Sequence, residues 1–534
     1  MPNSARSVAR LADLPDGALK QVEVDGTKIL LVRRGDAVFA LEGTCPHAGG
    51  PLADGVLAGD RIICPWHKAA FCVTTGACVE PPAVDDLKHY PVGLRDGEIM
   101  VTLEEPVHPA PLPPAAADPR RFVILGGGAA GAAAAQTLRA EGFAGRLLMI
   151  DQEGALPYDR TLLSKTTLSG ADAGEKSPLQ DEDFYERHAI ERLTVEVMAL
   201  NSTSRTILLD DGTELVYDAA LIATGGAPVE PDLPGSGLAN VFLLRSKADA
   251  ERILAVAAPG RKAVVIGASF IGMEVAASLR ERGLDVTVVA AEREPFERQL
   301  GARVGAVFRH RHEAKGVNFR LGRRVERLAG EQIVAHVELD GGDVLEAELV
   351  VMGLGVRPAT GFMQDLPVDE DGGLTVDRTL KVTDGLYAAG DIAAFPLYGD
   401  GPSIRVEHWR VAEQHGRLAA RNMMGDQRSY DAVPYFWTIQ FMEQLDYVGH
   451  ASGDDELVVR GDLDKPEFIA YYLRDGRVRA AAGWNRDRDM AALTVLLGQR
   501  QDWTVDALHP GGSSPAELLA AREVVRPSSS QPPA

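Results

Sequence analysis

Cysteine, positive charge and long apolar runs are all scarce in this chain. Four cysteines occur in 534 residues, too few for a disulfide scaffold, and all of them (Cys45, Cys64, Cys72, Cys78) lie in the first 78. Lysine and arginine number 55 against 77 aspartates and glutamates, a formal net charge of −22. That balance argues against nucleic acid and against anionic membrane surfaces as partners. No run approaches the ~20 apolar residues of a membrane span, and the opening MPNSARSVARLADLPDG lacks the apolar core of a signal peptide. No membrane partner and a cytoplasmic location are therefore the default expectations. What is present is ordinary soluble composition, 45% hydrophobic and 25% charged, at a length that suffices for three or four domains.

Residues 8–104 alternate short β-type runs with Gly and Asp turn signals, which predicts an all-β domain over 1–106. The stretch VHPAPLPPAAADP (107–119) reads as a semi-rigid linker. Then the pattern changes. RFVILGGGAAGAAAAQTLRAEGFAGRLLMID (121–151) reads strand, Gly-rich turn, helix, strand, and RKAVVIGASFIGMEVAASLRERGLDVTVVAAE (261–292) repeats the plan. Two such units imply two α/β dinucleotide-binding folds. The predicted division is 120–245 with 377–428 for the first, 246–376 for the second, an α+β C-terminal domain over 429–525, and a disordered tail over 526–534.

Two of the cysteines sit in a pattern with histidines: Cys45-x-His47, sixteen residues, then Cys64-x2-His67. Zinc fingers group their ligands as C-x2–4-C and H-x3–5-H. Here each loop offers one thiolate and one imidazole. That suits a Rieske [2Fe–2S] cluster, in which two cysteines hold one iron and two histidines the other. CPHAGGPL and CPWHKAAF resemble the Rieske ferredoxin family. Respiratory members carry an extra disulfide-forming cysteine in each loop; Gly50 stands where the first belongs, which points to the ferredoxin-like branch. Cys72 and Cys78 lie outside the loops and read as small buried residues.

In GGGAAG, Gly126 permits the tight turn, Gly128 lets a pyrophosphate approach the backbone, and Gly131 lets helix and strand pack closely. The helix N-terminus faces the phosphates. Asp151 or Glu153 is placed to take the ribose hydroxyls. LPYDRTLLSK (156–165), LIATGGAP (221–228) and GLYAAGDIAAFP (385–396) resemble the FAD-dependent pyridine-nucleotide oxidoreductases, in particular the ferredoxin-reductase and apoptosis-inducing-factor branch. The resemblance implies that Arg160 and Lys165 contact FAD, with Lys165 near its reactive face. It also implies that Thr224 and Gly225 line the cofactor and that Asp391 binds its ribityl or pyrophosphate part. Some relatives carry a redox-active cysteine pair beside the flavin. The absence of cysteine after Cys78 excludes that relay in this flavin module.

The second turn, GASFIGME, supplies Gly267, Ser269, Gly272 and Glu274, and VVMGLGVRP (350–358) supplies Gly353 and Gly355. By resemblance Glu274 touches the nicotinamide; a packing role is the alternative. After DVTVV come two alanines, so Glu292 is left to reach an NAD ribose, or Arg293 to accept a 2′-phosphate. Family habit favours NADH over NADPH. VEHWRVAEQHGRLAARNM (406–423) reads as a helix and VPYFWTIQF (433–441) as a strand, with Trp437 either beside the flavin or in the core. His310 and His312 are expected to face solvent.

The chain as a whole resembles the Rieske-containing apoptosis-inducing-factor-like oxidoreductases. NAD(P)H delivers two electrons at once, a flavin releases them singly, and a [2Fe–2S] cluster carries one. The implied order is NAD(P)H, FAD, cluster, then an outside acceptor such as an oxygenase. The linker would make the encounter of ferredoxin and reductase intramolecular. Two other readings stand beside it: an electron donor in a nitrite-reductase-like system, and a redox-responsive regulatory protein. A homodimer rests on base rates alone.

Overall fold

The computed structural model describes residues 5–103, 118–170 and 178–525. They form two compact units, one of 5–103 with 433–437 and 445–525, the other of the described residues between 118 and 432 with 438–444. The expected tail 526–534, and all but the last two residues of the expected linker, lie outside the described residues.

The first unit opens with small antiparallel sheets. Leu19–Val24, Thr27–Arg34, Ala37–Glu42 and His89–Tyr90 form one, and Val56–Ala58, Arg61–Ile63, Ala70–Cys72 and Cys78–Glu80 another. Asp-Gly pairs close two of the hairpins. Asp25 and Gly26 have φ of 49° and 82°, Asp96 and Gly97 52° and 80°. Left-handed backbone at both positions matches the twist of the flanking strands, and Asp and Gly tolerate it. Leu30, Val32, Leu41, Ile62 and Phe71 are fully buried in one core that also takes in Cys45 and Cys64. Each such side chain contributes about 1.5–3 kcal/mol of burial.

The later part of this unit is a further, larger antiparallel sheet. Leu445–Gly449 pairs with Arg477–Trp484, which pairs with Glu467–Arg474, which pairs with Glu456–Asp462. Helix Asp487–Gly498 packs closely beneath it; a Cβ on Gly483 would lie 2.4 Å from the Met490 sulfur. The last helix, Pro515–Val525, lies against Val56–Ala58.

The second unit contains both expected dinucleotide folds. In one, Ile190–Thr194, Arg146–Asp151, Arg121–Leu125, Ala219–Ile222 and Leu386–Ala388 run parallel, with Lys381–Thr383 antiparallel at the edge. In the other, Val241–Leu243, Leu349–Met352, Lys262–Ile266, Asp285–Ala290 and Asn318–Leu321 are all parallel. The runs FVIL, LLMI and AVVI are buried, as strands covered on both faces must be. Helix Ala129–Ala140 is alanine-rich, so helix Trp409–Met424 approaches it closely. A Cβ on Gly416 would lie 2.1 Å from the Ala130 carbonyl oxygen.

One expectation needs correcting. His310 is exposed, but His312 is buried at 1% exposure. Its ring nitrogens lie 2.9 Å from the Phe308 carbonyl and 3.3 Å from that of Met273, and its edge meets Phe441. Burial pushes its pKa down to about 4. Helix Ala302–Ala314 is charged on one face only, and His312 falls on the other.

Candidate redox sites

The first cluster loop runs from strand Ala37–Glu42 of one small sheet toward Val56–Ala58 of the other, and the second joins Arg61–Ile63 to Ala70–Cys72. Cys45 N–H donates to the Gly50 carbonyl and Gly49 N–H to that of Cys45; Cys64 N–H donates to Ala69. The loops bring the four expected donors together in pairs. His47 Nδ1 and His67 Nδ1 lie 3.0 Å apart, with the rings edge-on at 4.7 Å. The Cys45 and Cys64 thiols are hydrogen-bonded to each other and buried.

The backbone favours thiolate at both sulfurs. Cys64 accepts N–H groups from Trp66 and His67, and Cys45 one from His47. The hydrogen bond from Cys45, with those N–H groups and the Lys68 ammonium, pulls the Cys64 thiol down against the cost of its burial. The same bond, together with burial, pushes Cys45 up. Amide donors aimed at sulfur are what a sulfur-ligated iron centre requires. Gly50 admits no side chain, since a Cβ there would sit 2.9 Å from Cys64 Sγ and 3.2 Å from the Trp66 ring. These residues fit a [2Fe–2S] cluster held by Cys45, Cys64, His47 and His67. Cys72 and Cys78 are half-buried rather than buried, and neither forms a disulfide.

In the second unit a cavity of about 760 Å³ is lined by Gly126–Ala130, Asp151, Glu153, Arg160, Thr224, Gly225, Arg245 and Asp391, among others. Gly126 has φ of 108°, a Cβ on Gly131 would lie 1.9 Å from the Gly126 carbonyl, and Gly128 faces open space. The turn therefore offers the bare cradle that a pyrophosphate needs at the start of helix Ala129–Ala140. The two candidate acids have separate tasks. Asp151 accepts Gly127 N–H at 2.7 Å and Glu153 N–H at 2.8 Å, holding the turn. The Glu153 carboxylate accepts the Tyr158 hydroxyl and pairs with Arg160. Thr224 donates to the Ala359 carbonyl. Gly225 has φ of 66° beside the Arg245–Asp391 pair, which is 3.1 Å long. Arg245 is a cavity residue the motifs did not indicate. Behind the lining, buried His415 accepts Gly390 N–H next to Asp391, and burial pushes its pKa down to about 3.

Lys165 and Glu274 meet. Lys165 Nζ lies 2.9 Å from Glu274 Oε2, which also accepts the Ser164 hydroxyl, while Oε1 accepts that of Thr438 at 2.7 Å. Glu274 is 3% exposed, and Lys165 has φ −109°, ψ −105° inside a one-turn π-helix. Such turns recur at functional sites.

In the second turn Gly267 has φ of 107°, a Cβ on Gly272 would lie 2.1 Å from the Gly267 carbonyl, and Ser269 donates to the Gly353 carbonyl at 3.1 Å. Gly355 has φ of 92° and faces open space. Glu292 lies beyond strand Asp285–Ala290, and its carboxylate is 3.0 Å from the exposed Arg298. Trp437 belongs to the first unit. Its ring lies 4.5 Å from that of His67 and 6.3 Å from that of His47.

Comparison with known proteins agrees with this geometry. Residues 120–416 match the pyridine nucleotide-disulphide oxidoreductase model, 5–91 the Rieske [2Fe-2S] domain and 435–512 the reductase C-terminal domain. Mouse apoptosis-inducing factor 3 is 36% identical over 92% of this chain and 83% of its own length. The ferredoxin–NAD(+) reductase component of the anthranilate 1,2-dioxygenase system of Burkholderia cepacia is 35% identical over 72% of this chain and 94% of its own. The crystal structure of the covalent putidaredoxin reductase–putidaredoxin complex contains a chain that superposes with a TM-score of 0.71 at 29% identity, covering 76% of this chain and 99% of that one.

Proposed function

Because the chain belongs to the pyridine nucleotide-disulphide oxidoreductase family and carries a Rieske domain ahead of it, we propose that it takes electrons from NADH in preference to NADPH and delivers them to an oxygenase or a similar oxidised protein. It is an FAD-dependent NAD(P)H oxidoreductase with a [2Fe–2S] centre in the same chain. When bound, FAD accepts an electron pair from NAD(P)H and releases electrons singly, the only size a [2Fe–2S] cluster carries.

The chain's own residues supply the rest. The turn Gly126–Gly131 and the N-terminus of helix Ala129–Ala140 receive a pyrophosphate, and Arg160 adds charge beside it. Glu274 holds the Lys165 ammonium at a fixed position through a buried pair. Glu292 receives ribose hydroxyls, and a carboxylate there repels a 2′-phosphate. This supports the NADH preference, as do relatives named ferredoxin–NAD(+) reductases of dioxygenase systems.

The observation that carries the reading is the convergence of His47 and His67 at 3.0 Å in a chain that also holds the glycine-cradled cavity. Steady-state assay with a one-electron acceptor tests it. The expected result is many turnovers per flavin, with kcat/KM for NADH at least about tenfold above that for NADPH. A long-lived reduced complex without turnover would instead favour the regulatory reading.

A further inference from the structure

Lys68 follows the cluster ligand His67 and is the most heavily constrained lysine in the first unit. Its side chain is fully buried and its backbone is left-handed, with φ of 62°. Each condition is unfavourable for lysine, the first by several kcal/mol and the second by about 1–3 kcal/mol. Both are met for one contact. Lys68 Nζ donates to Asp446 Oδ2 at 2.6 Å, and Asp446 is itself 1% exposed and 378 residues away. The ammonium is completed by the Pro65 and Trp66 carbonyls and lies 5.3 Å over the Tyr435 ring. Tyr435 ties the same two partners, its hydroxyl donating to Asp446 Oδ1 at 2.7 Å and lying 2.9 Å from the Trp66 carbonyl. At a separate point Glu523 of the last helix accepts Gly59 N–H at 2.8 Å.

We propose that the Rieske module is docked permanently on the C-terminal reductase module by the Lys68–Asp446–Tyr435 cluster, and does not swing on its connecting segment as a tethered ferredoxin. The proposal rests on Cys45, His47, Cys64 and His67 being the cluster ligands. A contact that forms and breaks each turnover would have to rehydrate and re-bury an ammonium and a carboxylate every time, at several kcal/mol per ion. A buried pair of this kind is instead a device of register. It holds His67, its chain neighbour, with the imidazole ring against Trp437. Lys68 and Asp446 are positioning residues.

The test uses the full-length holoprotein with a specific protease site built into residues 107–119. After complete cutting, the N-terminal piece is held by non-covalent contacts alone. It should co-elute with the remainder on size exclusion down to the lowest concentration at which flavin and cluster absorbance can be followed. Asp446→Asn and Lys68→Met each leave one buried partner of the pair. In either variant the cut pieces should separate at a protein concentration at least about 100-fold higher than in the parent. The variants lie on opposite sides of the contact, so damage to one module's own fold would affect only one of them. Separation of the parent pieces on cutting would overturn the proposal. So would either variant holding its pieces as tightly as the parent.

Discussion

Substituting Gly416 by alanine tests whether the close helix pair builds the flavin cavity. Alanine is the better helix former by about 1 kcal/mol, so a residue in an ordinary helix would gain stability. Here the new Cβ would lie 2.1 Å from the Ala130 carbonyl oxygen and 3.0 Å from its Cα, both backbone atoms that cannot rotate away. An ordinary C···O contact is about 3.3–3.6 Å, so the helices must part by roughly 1 Å. Overpacking of this kind costs about 1–3 kcal/mol and exceeds the propensity gain. Ala130 and Ala412, one from each helix, both line the cavity. The displacement therefore falls on the cofactor, and at 1.4 kcal/mol per tenfold the expected loss of FAD affinity is about 5- to 100-fold. Titrating apoprotein with FAD, following quenching of flavin fluorescence, measures it. Unchanged affinity together with a raised melting temperature would show that propensity wins, and the argument would be wrong.

Three further outcomes follow from particular residues. Replacing His67 by cysteine should abolish the Rieske electron paramagnetic signature and lower the cluster potential by hundreds of millivolts, toward the all-cysteine range near −400 mV. Glu274→Gln removes the buried partner of Lys165 and should slow flavin reduction by NADH at least about tenfold in stopped flow, while the spectrum of the oxidised cluster stays unchanged. Burial and the nearby Asp446 carboxylate push Asp487 up to about 6, with Lys68 offsetting part of the shift. A raised carboxyl contributes stability below the ordinary range near 4 and loses it as pH rises through about 6. Asp487→Asn should therefore be more stable than the parent at pH 7, by about 1–3 kcal/mol, less a few tenths for the lost charge at the helix N-terminus. The gap should close below pH 4, as read by melting temperature across that range.

The parts of this protein legible in sequence are those whose chemistry is local. Cys45, His47, Cys64 and His67 sit in two short loops, and the glycines of GGGAAG and GASFIGME each meet a backbone demand a few residues away. Asp25-Gly26 and Asp96-Gly97 mark hairpins because two successive left-handed residues need such side chains. The features not legible in sequence depend on distant chain. Lys68 resembles any lysine until Asp446 is placed beside it. His312 lies in a run of charges, FRHRHEAKG, but one helix face is turned inward onto Met273 and Phe441. The contact of the Trp437 ring with that of His67 is set by chain more than 360 residues away. Arg245 and His415 shape the surroundings of Asp391 without belonging to any spaced motif.

The central claim is that one chain carries electrons from NAD(P)H through FAD to its own [2Fe–2S] centre. Anaerobic stopped flow with excess NADH, following flavin and cluster absorbance together, tests it most directly. The account predicts that flavin bleaches first and the cluster follows in a phase whose rate is the same across a hundredfold range of protein concentration. A cluster that stays oxidised beside a bleached flavin would contradict it, as would a cluster rate that rises in proportion to protein concentration.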